Sequence, residues 1–538
     1  MRRFPARAVP ALLILAVSAA LRAQDAPAAG PAPAVSALPR TMPAPDAPAG
    51  DNRPVLTLGQ CVADALAKNF SVRIQNYSVD QARAGVIIAQ STYDPILGVN
   101  WQRSVNKSPD AITQLVQTTS AANAATGAAA TTTTSVITTY PQSNNQATSV
   151  SATQNLLTGG QVVANYNLGR DQSFPASQFL DPVYLGTASL TVSQPLLAGA
   201  GTGYARALIQ IAQLNGRISE LNFKSTVLST IFNVETAYFN VVFARQQYEV
   251  DKDAVKLAQQ LLDENTVKRR TGVMTDLDVV QAQAGLASAQ TTVISGKQVL
   301  DNDEDTLLQA MGVTDFRLPV GPIEVPPAPA GEVSFDLSYK LARDNGPSLA
   351  VIEATIEQNQ LTAQRAKDNN RPQLGVTGGA GYDTAQNSYS EAATKVWSGP
   401  GYNWEAGLTL SFPWGLRQNK ALYRQAMDSV EAEKATLDQS DQALTVQVRA
   451  GVRSVLANRQ SVASAGQNVA LSQKQYDLQK AEFDAGLATS YDVLQAQNQL
   501  ESARVTLIQS EVNLRIAIAD LHFLEGTSLD LYHVDLKP

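Results

Sequence analysis

Apolar residues recur at every seventh position along two stretches of this chain. One register runs Val279, Leu286, Val293, Leu300, Leu307, and the other Val493, Leu500, Leu507, Leu514, Leu521. Three places after the first members of each stand small residues, at Ala282, Ala289 and Gly296 and at Ala496, Ala503 and Ser510. A large residue at one seam position and a small one at the other predicts coiled-coil packing at close approach. Each register follows a proline-free helical stretch, about Ala205–Thr271 and about Gln418–Ala485. At 1.5 Å per residue, each stretch predicts a helix roughly 100 Å long. One such hairpin has no core of its own, so its apolar stripe requires another hairpin or another chain.

Other segments alternate with period two. In Tyr402–Trp414 the residues Trp404, Ala406, Leu408, Leu410 and Phe412 share one face, and Glu405, Gly407, Thr409 and Ser411 the other. Leu97–Trp101, Gly186–Leu197 and Leu374–Tyr382 behave alike. Antiparallel strands with one apolar and one small-polar face fit a sandwich or a membrane barrel with a wet lumen. The aromatics favour the barrel. Trp101, Trp397, Trp404 and Trp414 all lie in or beside these segments, with Tyr93, Tyr184, Tyr382 and Tyr402 at their ends. That placement is the signature of an interfacial girdle. Ser149–Gly169 predicts an additional hairpin turning at Thr158–Gly160, either part of the barrel or a decoration of its loops. Gln117–Thr139 is expected to be a low-complexity loop, and about Asp383–Ser398 a shorter polar one.

The chain also states one sentence twice. Gly272–Ala289 and Gly486–Ala503 share the frame G-x-x-T-x-x-D-V-x-Q-A-Q-x-x-L-x-S-A. Gly272 and Gly486 suit the positive-φ end of an incoming helix. Thr275 and Thr489 can cap the returning helix, with Asp278 and Asp492 at the capping-box position. The frame therefore spells a tight helix reversal. The turn residues Val273, Met274, Leu487 and Ala488 are small or apolar at an exposed extremity, which suggests docking. The halves match in order, giving a first repeat over residues 55–315, a Pro-rich connector over 316–333, a second repeat over 334–525 and a tail over 526–538. Four to six spanning strands are too few to close a membrane barrel, so closure needs several chains.

Composition narrows the function. The 538 residues carry a net charge of −7 and a pI near 5.1, so no basic stripe points to nucleic acid. Residues 1–23, with Arg2, Arg3, Arg7 and the apolar Ala11–Leu21, predict a signal peptide rather than a membrane anchor, because the apolar run is too short to span. Residues 24–54 read as a disordered Ala/Pro-rich leader. After it, no run of about 18 apolar residues predicts a spanning helix. Cys61 is the single cysteine, and His522 and His533 are the only histidines, so no metal cluster, catalytic residue or cofactor is expected. Gly199–Ala212 follows a strand and opens a helix, but its glycines are spaced G-x-G-x-G with no βαβ unit, unlike a dinucleotide site.

The signal segment, "LTLGQCVADALAKN" (Leu56–Asn69), "SLTVSQPLLAGAGTGYARALIQIA" and the two tips resemble the outer membrane efflux protein family, the TolC-type channels. The resemblance covers about Leu56–Leu524. It implies a mainly α protein in which duplicated helical hairpins form a periplasmic α-barrel. The strands would join a shared transmembrane β-barrel of a homotrimer in outer-membrane lipid. It further implies passive exit, with a periplasmic adaptor and an inner-membrane transporter supplying energy and choosing cargo. The adaptor-docking positions map to Gly272, Val273, Met274 and Thr275 and to Gly486, Leu487, Ala488 and Thr489. The pore gate maps to Asp492 and, one turn on, to Gln495, where some members carry a second acid. Asp278 maps to a helix cap and latch partner. A periplasmic coiled-coil scaffold that never enters a membrane is the alternative.

Overall fold

A computed structural model describes residues 55–121, 129–174, 181–317, 320–326 and 331–536. The expected signal peptide and the whole of the leader lie outside these residues. The first half opens with α1 (Leu58–Lys68) and α2 (Phe70–Ser91). Strands β1 (Ile96–Lys107), β2 (Ile112–Ser120), β3 (Thr131–Thr139), β4 (Gln142–Asn155), β5 (Gln161–Phe174) and β6 (Val183–Pro195) follow. The long helices α3 (Thr202–Arg270) and α4 (Asp276–Ala310) close this half. The second half runs α5 (Phe335–Asn345), α6 (Pro347–Asp368), β7 (Gln373–Gln386), α7 (Tyr389–Lys395), β8 (Gly401–Ser411), α8 (Arg417–Asp484) and α9 (Ser490–Glu525). A short α10 (Ser528–Leu531) ends it.

Helices α3 and α8 hold 69 and 68 residues, and no proline interrupts either. Their partners α4 and α9 are about half as long, with 35 and 36 residues. The shorter helices α2 and α6 fill the remaining height. Asn69 caps α2 through Ser71 N and donates from Nδ2 to the carbonyl of Ala310, the last residue of α4, at 2.9 Å. Thus α2 begins where α4 ends. At the matching place in the second half, Gly526 (φ 68°) closes α9 against Asn345, beside the start of α6. Packing runs α4, α3, α9, α8, with α3 at the centre of the wall.

The largest core lies midway along α3. Val227, Leu228, Ile231, Val234, Tyr238, Val241 and Val242 are all buried, against α1, the end of α4 and the C-terminus. This stretch reaches a mean hydropathy of 1.3, enough for a membrane span by composition, yet 67% of that window is buried inside the protein. It is a core helix. The buried Tyr238 hydroxyl donates to the carbonyls of Leu56 (3.1 Å) and Glu324, tying the start of the ordered chain to the connector. Leu56 and Ile323 form a parallel bridge there. Cys61 sits in the same core, where burial pushes its thiol up to about 12. Within the segment read as a tail, Leu529 and Tyr532 are buried in this core.

Six strands form one antiparallel sheet in the order β1-β4-β5-β6-β7-β8. The Ser149–Gly169 hairpin is thus part of the sheet, between β1 and β6. Four strands are rooted in helices: β1 follows α2, β6 leads into α3, β7 follows α6 and β8 leads into α8. The β4–β5 hairpin instead turns back at Leu156–Gly160, where Gly159 takes φ 84°. The Thr158 carbonyl accepts from Gly201 N at 2.9 Å, so the turn docks on the first turn of α3. The Gly199–Ala212 segment is this strand-to-helix transition, with Gly199 N donating to Asp368 Oδ2 at 3.0 Å.

Two loop expectations are corrected. Much of Gln117–Thr139 belongs to a separate β2–β3 ribbon, because its Thr-rich arms pair in register from Ile112↔Thr139 to Ser120↔Thr131. β-branched threonines favour the extended backbone that a ribbon needs. The Asp383–Ser398 segment extends β7 and then forms α7, whose Ala392 is fully buried on the sheet.

Glu235 is buried and accepts from the Tyr532 hydroxyl at 2.6 Å, while its Oε2 has no partner. Burial pushes its carboxyl up from 4.5 to about 7, against the lowering effect of Tyr532. Between those values the folded chain holds a proton that the unfolded chain releases. The stability this contributes is therefore complete below pH 4.5 and lost as pH rises through about 7. We expect the thermal midpoint, followed by circular dichroism in detergent, to fall between about pH 5 and 8, and Glu235→Gln to flatten the slope. The upper bound is about 3 kcal/mol. Equal slopes in both proteins would remove Glu235 as the cause.

Candidate functional site

Two regions carry no internal explanation: the hairpin tips and the open sheet. At the first tip Gly272 takes φ 78° after the last turn of α3, and at the second Gly486 takes φ 78° after α8. A side chain would strain this left-handed backbone. Thr275 then caps α4 and Thr489 caps α9, each with a complete capping box. The geometry repeats to the tenth of an ångström. Thr275 N donates to Asp278 Oδ2 at 2.9 Å and Asp278 N to Thr275 Oγ1 at 3.3 Å. Thr489 N donates to Asp492 Oδ2 at 2.9 Å and Asp492 N to Thr489 Oγ1 at 3.3 Å. The Thr489 hydroxyl first, and its backbone N–H second, hold the Asp492 carboxyl below its ordinary value.

The two tips lean on each other. Phe483 is fully buried, with Leu261 and Val493 against it. Lys268 Nζ lies 3.6 Å from the centre of the Phe483 ring and 3.7 Å from Asp484. Lys480 bridges to Glu264 across the hairpins. Buried Asn265 donates from Nδ2 to Ser490 Oγ of the other tip at 2.6 Å and to the Asp278 carbonyl at 3.3 Å. Higher in the seam, buried Gln497 donates to the Ala254 carbonyl at 3.2 Å. Gly296 lies where it does for a steric reason, since a Cβ there would stand 2.5 Å from buried Asp251 Oδ2.

The tip residues divide by exposure. Val273 is 67% exposed and Leu487 82%, so these two form the apices. Met274 and Ala488 are half-buried instead, packed on the Phe483 cluster. Their apolar character is thus already used between the hairpins. Asp278 and Asp492 are only partly exposed beside their caps, and Gln495 is exposed one turn above Asp492. Asn265, Lys268, Lys480 and Phe483 lie outside the doubled frame, on the incoming helices. A signal was available there, since an Asn within an amphipathic helix marks a polar seam position.

The sheet presents two unlike faces. Register places Val99, Val150, Tyr166, Ala188, Tyr382 and Tyr402 in one cross-strand row, and Leu97, Ala152, Ala164, Leu190, Ala380 and Trp404 in the next. The opposite face carries rows such as Asn100, Ser149, Asn167, Thr187 and Asp383. On β8 the apolar side is bare: Trp404 is 73% exposed and Leu408 70%. From Tyr402 to Leu410 the apolar band runs about 26 Å along the strand at 3.3 Å per residue, close to the height of an outer-membrane barrel's lipid belt. Both edges, β1 and β8, lack a partner strand within the described residues.

The sequence profile of the outer membrane efflux proteins matches residues 172–313 and 338–527, spanning β6, β7, β8 and both hairpins. The chain belongs to this family. It is 23% identical over 332 residues to outer membrane protein TolC of Escherichia coli K12, covering 57% of this chain and 64% of TolC. The match thus spans just under two thirds of that relative. Outer membrane efflux protein BepC of Brucella suis biovar 1 is 24% identical over 383 residues, covering 70% of this chain and 78% of BepC. The fold is similar to the Campylobacter jejuni CmeC outer membrane channel, with a TM-score of 0.63 at 16% identity over 89% of this chain and 90% of that one. Family and fold are those of channel proteins, not enzymes. This efflux-family chain is an outer-membrane protein whose helical part lies in the periplasm.

Thr489→Ala should open the second tip locally. Losing an N-cap of this kind costs about 1 kcal/mol, so amides in the first turn of α9 should exchange roughly fivefold faster by hydrogen–deuterium exchange. The Asp492 half of the box contributes fully above pH 3.8 and is lost as pH falls through its lower folded value. Unchanged exchange in Thr489→Ala would show that tip packing, not the cap, sets local stability.

Proposed function

We propose that three copies of this chain form an outer-membrane exit duct. The observation that carries the reading is the unclosed sheet, apolar on one side, polar on the other, with both edges free. Lipid does not tolerate unpaired strand edges. Six strands are fewer than the eight that the smallest membrane barrels use. Pairing β8 of one copy with β1 of the next removes every edge at once, and three copies give a barrel of eighteen strands. The apolar rows then face lipid and the polar rows face water.

The same operation serves the helices. In the protomer one side of α4 and one side of α8 are bare, with Ile294 73% exposed and Leu471 65%. In a ring, α8 of one copy packs on α4 of the next, and the helices enclose a tunnel through the periplasm. Its far end is the set of tips. The exposed Val273 and Leu487 suit docking of a periplasmic adaptor, with Gly272, Thr275, Gly486 and Thr489 fixing the turns that present them and Met274 and Ala488 seating them. An inner-membrane transporter would supply the energy. Asp492 stands at the mouth as one ring of carboxylates, and Gln495 supplies a neutral ring above it. Asp278 acts as a cap for α4. No cofactor enters this reading.

Heat-resistant trimers in the outer-membrane fraction are expected, and a soluble periplasmic chain would instead support the scaffold alternative. In planar bilayers Asp492→Ala should change single-channel conductance or cation block more than Asp278→Ala does. Equal and negligible effects would reduce Asp492 to a helix cap.

A further inference from the structure

Charge is sorted by face across the six-stranded sheet. Its strand cations are Arg103, Lys107 and Arg170, and register places all three on the apolar face. Its strand carboxylates, Asp171, Asp383 and Glu405, all lie on the polar face. Arg103 and Arg170 both pair with Gln146, so they flank one strand in a single row, about 10 Å apart. That row lies toward the sheet end remote from the long helices, beyond the Tyr166 and Trp404 rows and beside the start of α7. Arg103 Nε donates to Asn144 at 3.3 Å and Arg170 Nη2 to Gln172 at 2.8 Å. Neither arginine has a carboxylate partner among the described residues. Cations bordering an apolar band snorkel to the interface, where they attract anionic headgroups.

Below this row the face is indented. After α7 crosses the sheet, Trp397 lies over it, stacked on Tyr166 at 6.4 Å and tilted against Tyr382 at 6.3 Å. The Tyr166 hydroxyl donates to the Ala393 carbonyl at 3.0 Å and holds the crossing in place. Gly186 lets α7 approach, since a Cβ there would meet the Ala392 carbonyl at 2.5 Å. The result is a notch of about 460 Å³, lined by Val150, Ala164, Tyr166, Leu190, Tyr382 and Trp397. Tyr166 lies four residues before Arg170 on the same face of β5, about 13 Å along the strand.

We infer that this face is a binding site for an anionic lipid of the outer leaflet. Arg103 and Arg170 receive its phosphate, and the notch under Trp397 receives an acyl chain. The inference rests on the membrane reading of the sheet. Guanidinium forks suit phosphate oxygens, and basic clusters at a membrane surface select anionic lipid. A soluble phosphate ion would use the arginines but not the apolar notch about 13 Å further along the same face. Lipid uses both, which is why the occupant is a lipid.

The test is native mass spectrometry of the detergent-purified trimer, offered a bisphosphorylated multi-acyl glycolipid, phosphatidylethanolamine or inorganic phosphate. The wild type should retain the glycolipid in preference to the other two. Arg103→Gln with Arg170→Gln should lower that retention roughly thirtyfold, Arg→Lys at both positions should keep most of it, and Trp397→Ala should shorten its lifetime. Trimer peaks in the same spectra report assembly of each variant. An intact trimer with no lipid preference, or a double Gln variant that binds like wild type, overturns the lipid site and leaves the duct standing. A wild-type chain that forms no trimer and enters no bilayer overturns the duct, and the lipid site with it.

Discussion

Everything in this molecule is arranged around strand edges that lipid will not accept. A backbone N–H or C=O inside hydrocarbon must find a partner, and a side chain cannot supply a whole row of them. The six-stranded sheet satisfies its interior and leaves β1 and β8 exposed. In the proposed duct the remedy is another copy on each side, because a ring is the arrangement in which no edge of this sheet remains. The bare sides of α4 and α8 then meet as a by-product of the same rotation. On that reading one hydrogen-bonding requirement would hold the membrane and periplasmic parts to one symmetry.

The hairpins obey a second constraint, that helices of this length must reverse at defined points. Glycine in the left-handed region ends one helix, and a Thr–Asp box starts the next, identically in both copies. What differs is the seam between the copies. Asn265, Gln497 and Asp251 are buried polar groups beside the apolar packing of the hairpins. Such residues give little net stability but oppose slippage of one helix along another. The polar seam therefore fixes register where large and small heptad positions alone would permit sliding.

Much of this was legible in the residues. Period seven with paired large and small positions announced the hairpins, and Val279, Leu300, Val493 and Leu500 are indeed buried along the seam. Period two announced the strands, and the doubled G-x-x-T-x-x-D announced both reversals. Other features left no mark that pattern can read. The Thr-rich stretch looked structureless because its repetition carries no apolar alternation, yet Thr131–Thr139 pairs as a strand. Met274 and Ala488 looked like exposed apolar tips because sequence does not say that the two tips touch. The role of Gly296 depends on Asp251, 45 positions earlier, and no local rule joins them.

The β4–β5 hairpin has an unusual mechanical status. Its neighbours continue into helices, whereas it turns back on five residues and rests against the top of α3. In the proposed ring, deleting it would reduce the circumference by two strands per copy while leaving the strands rooted in helices in place. The width of the hole at the cell surface is thereby uncoupled from the width of the tunnel beneath. In that duct, this hairpin alone would set the bulk of what passes the membrane, with the tunnel helices unchanged.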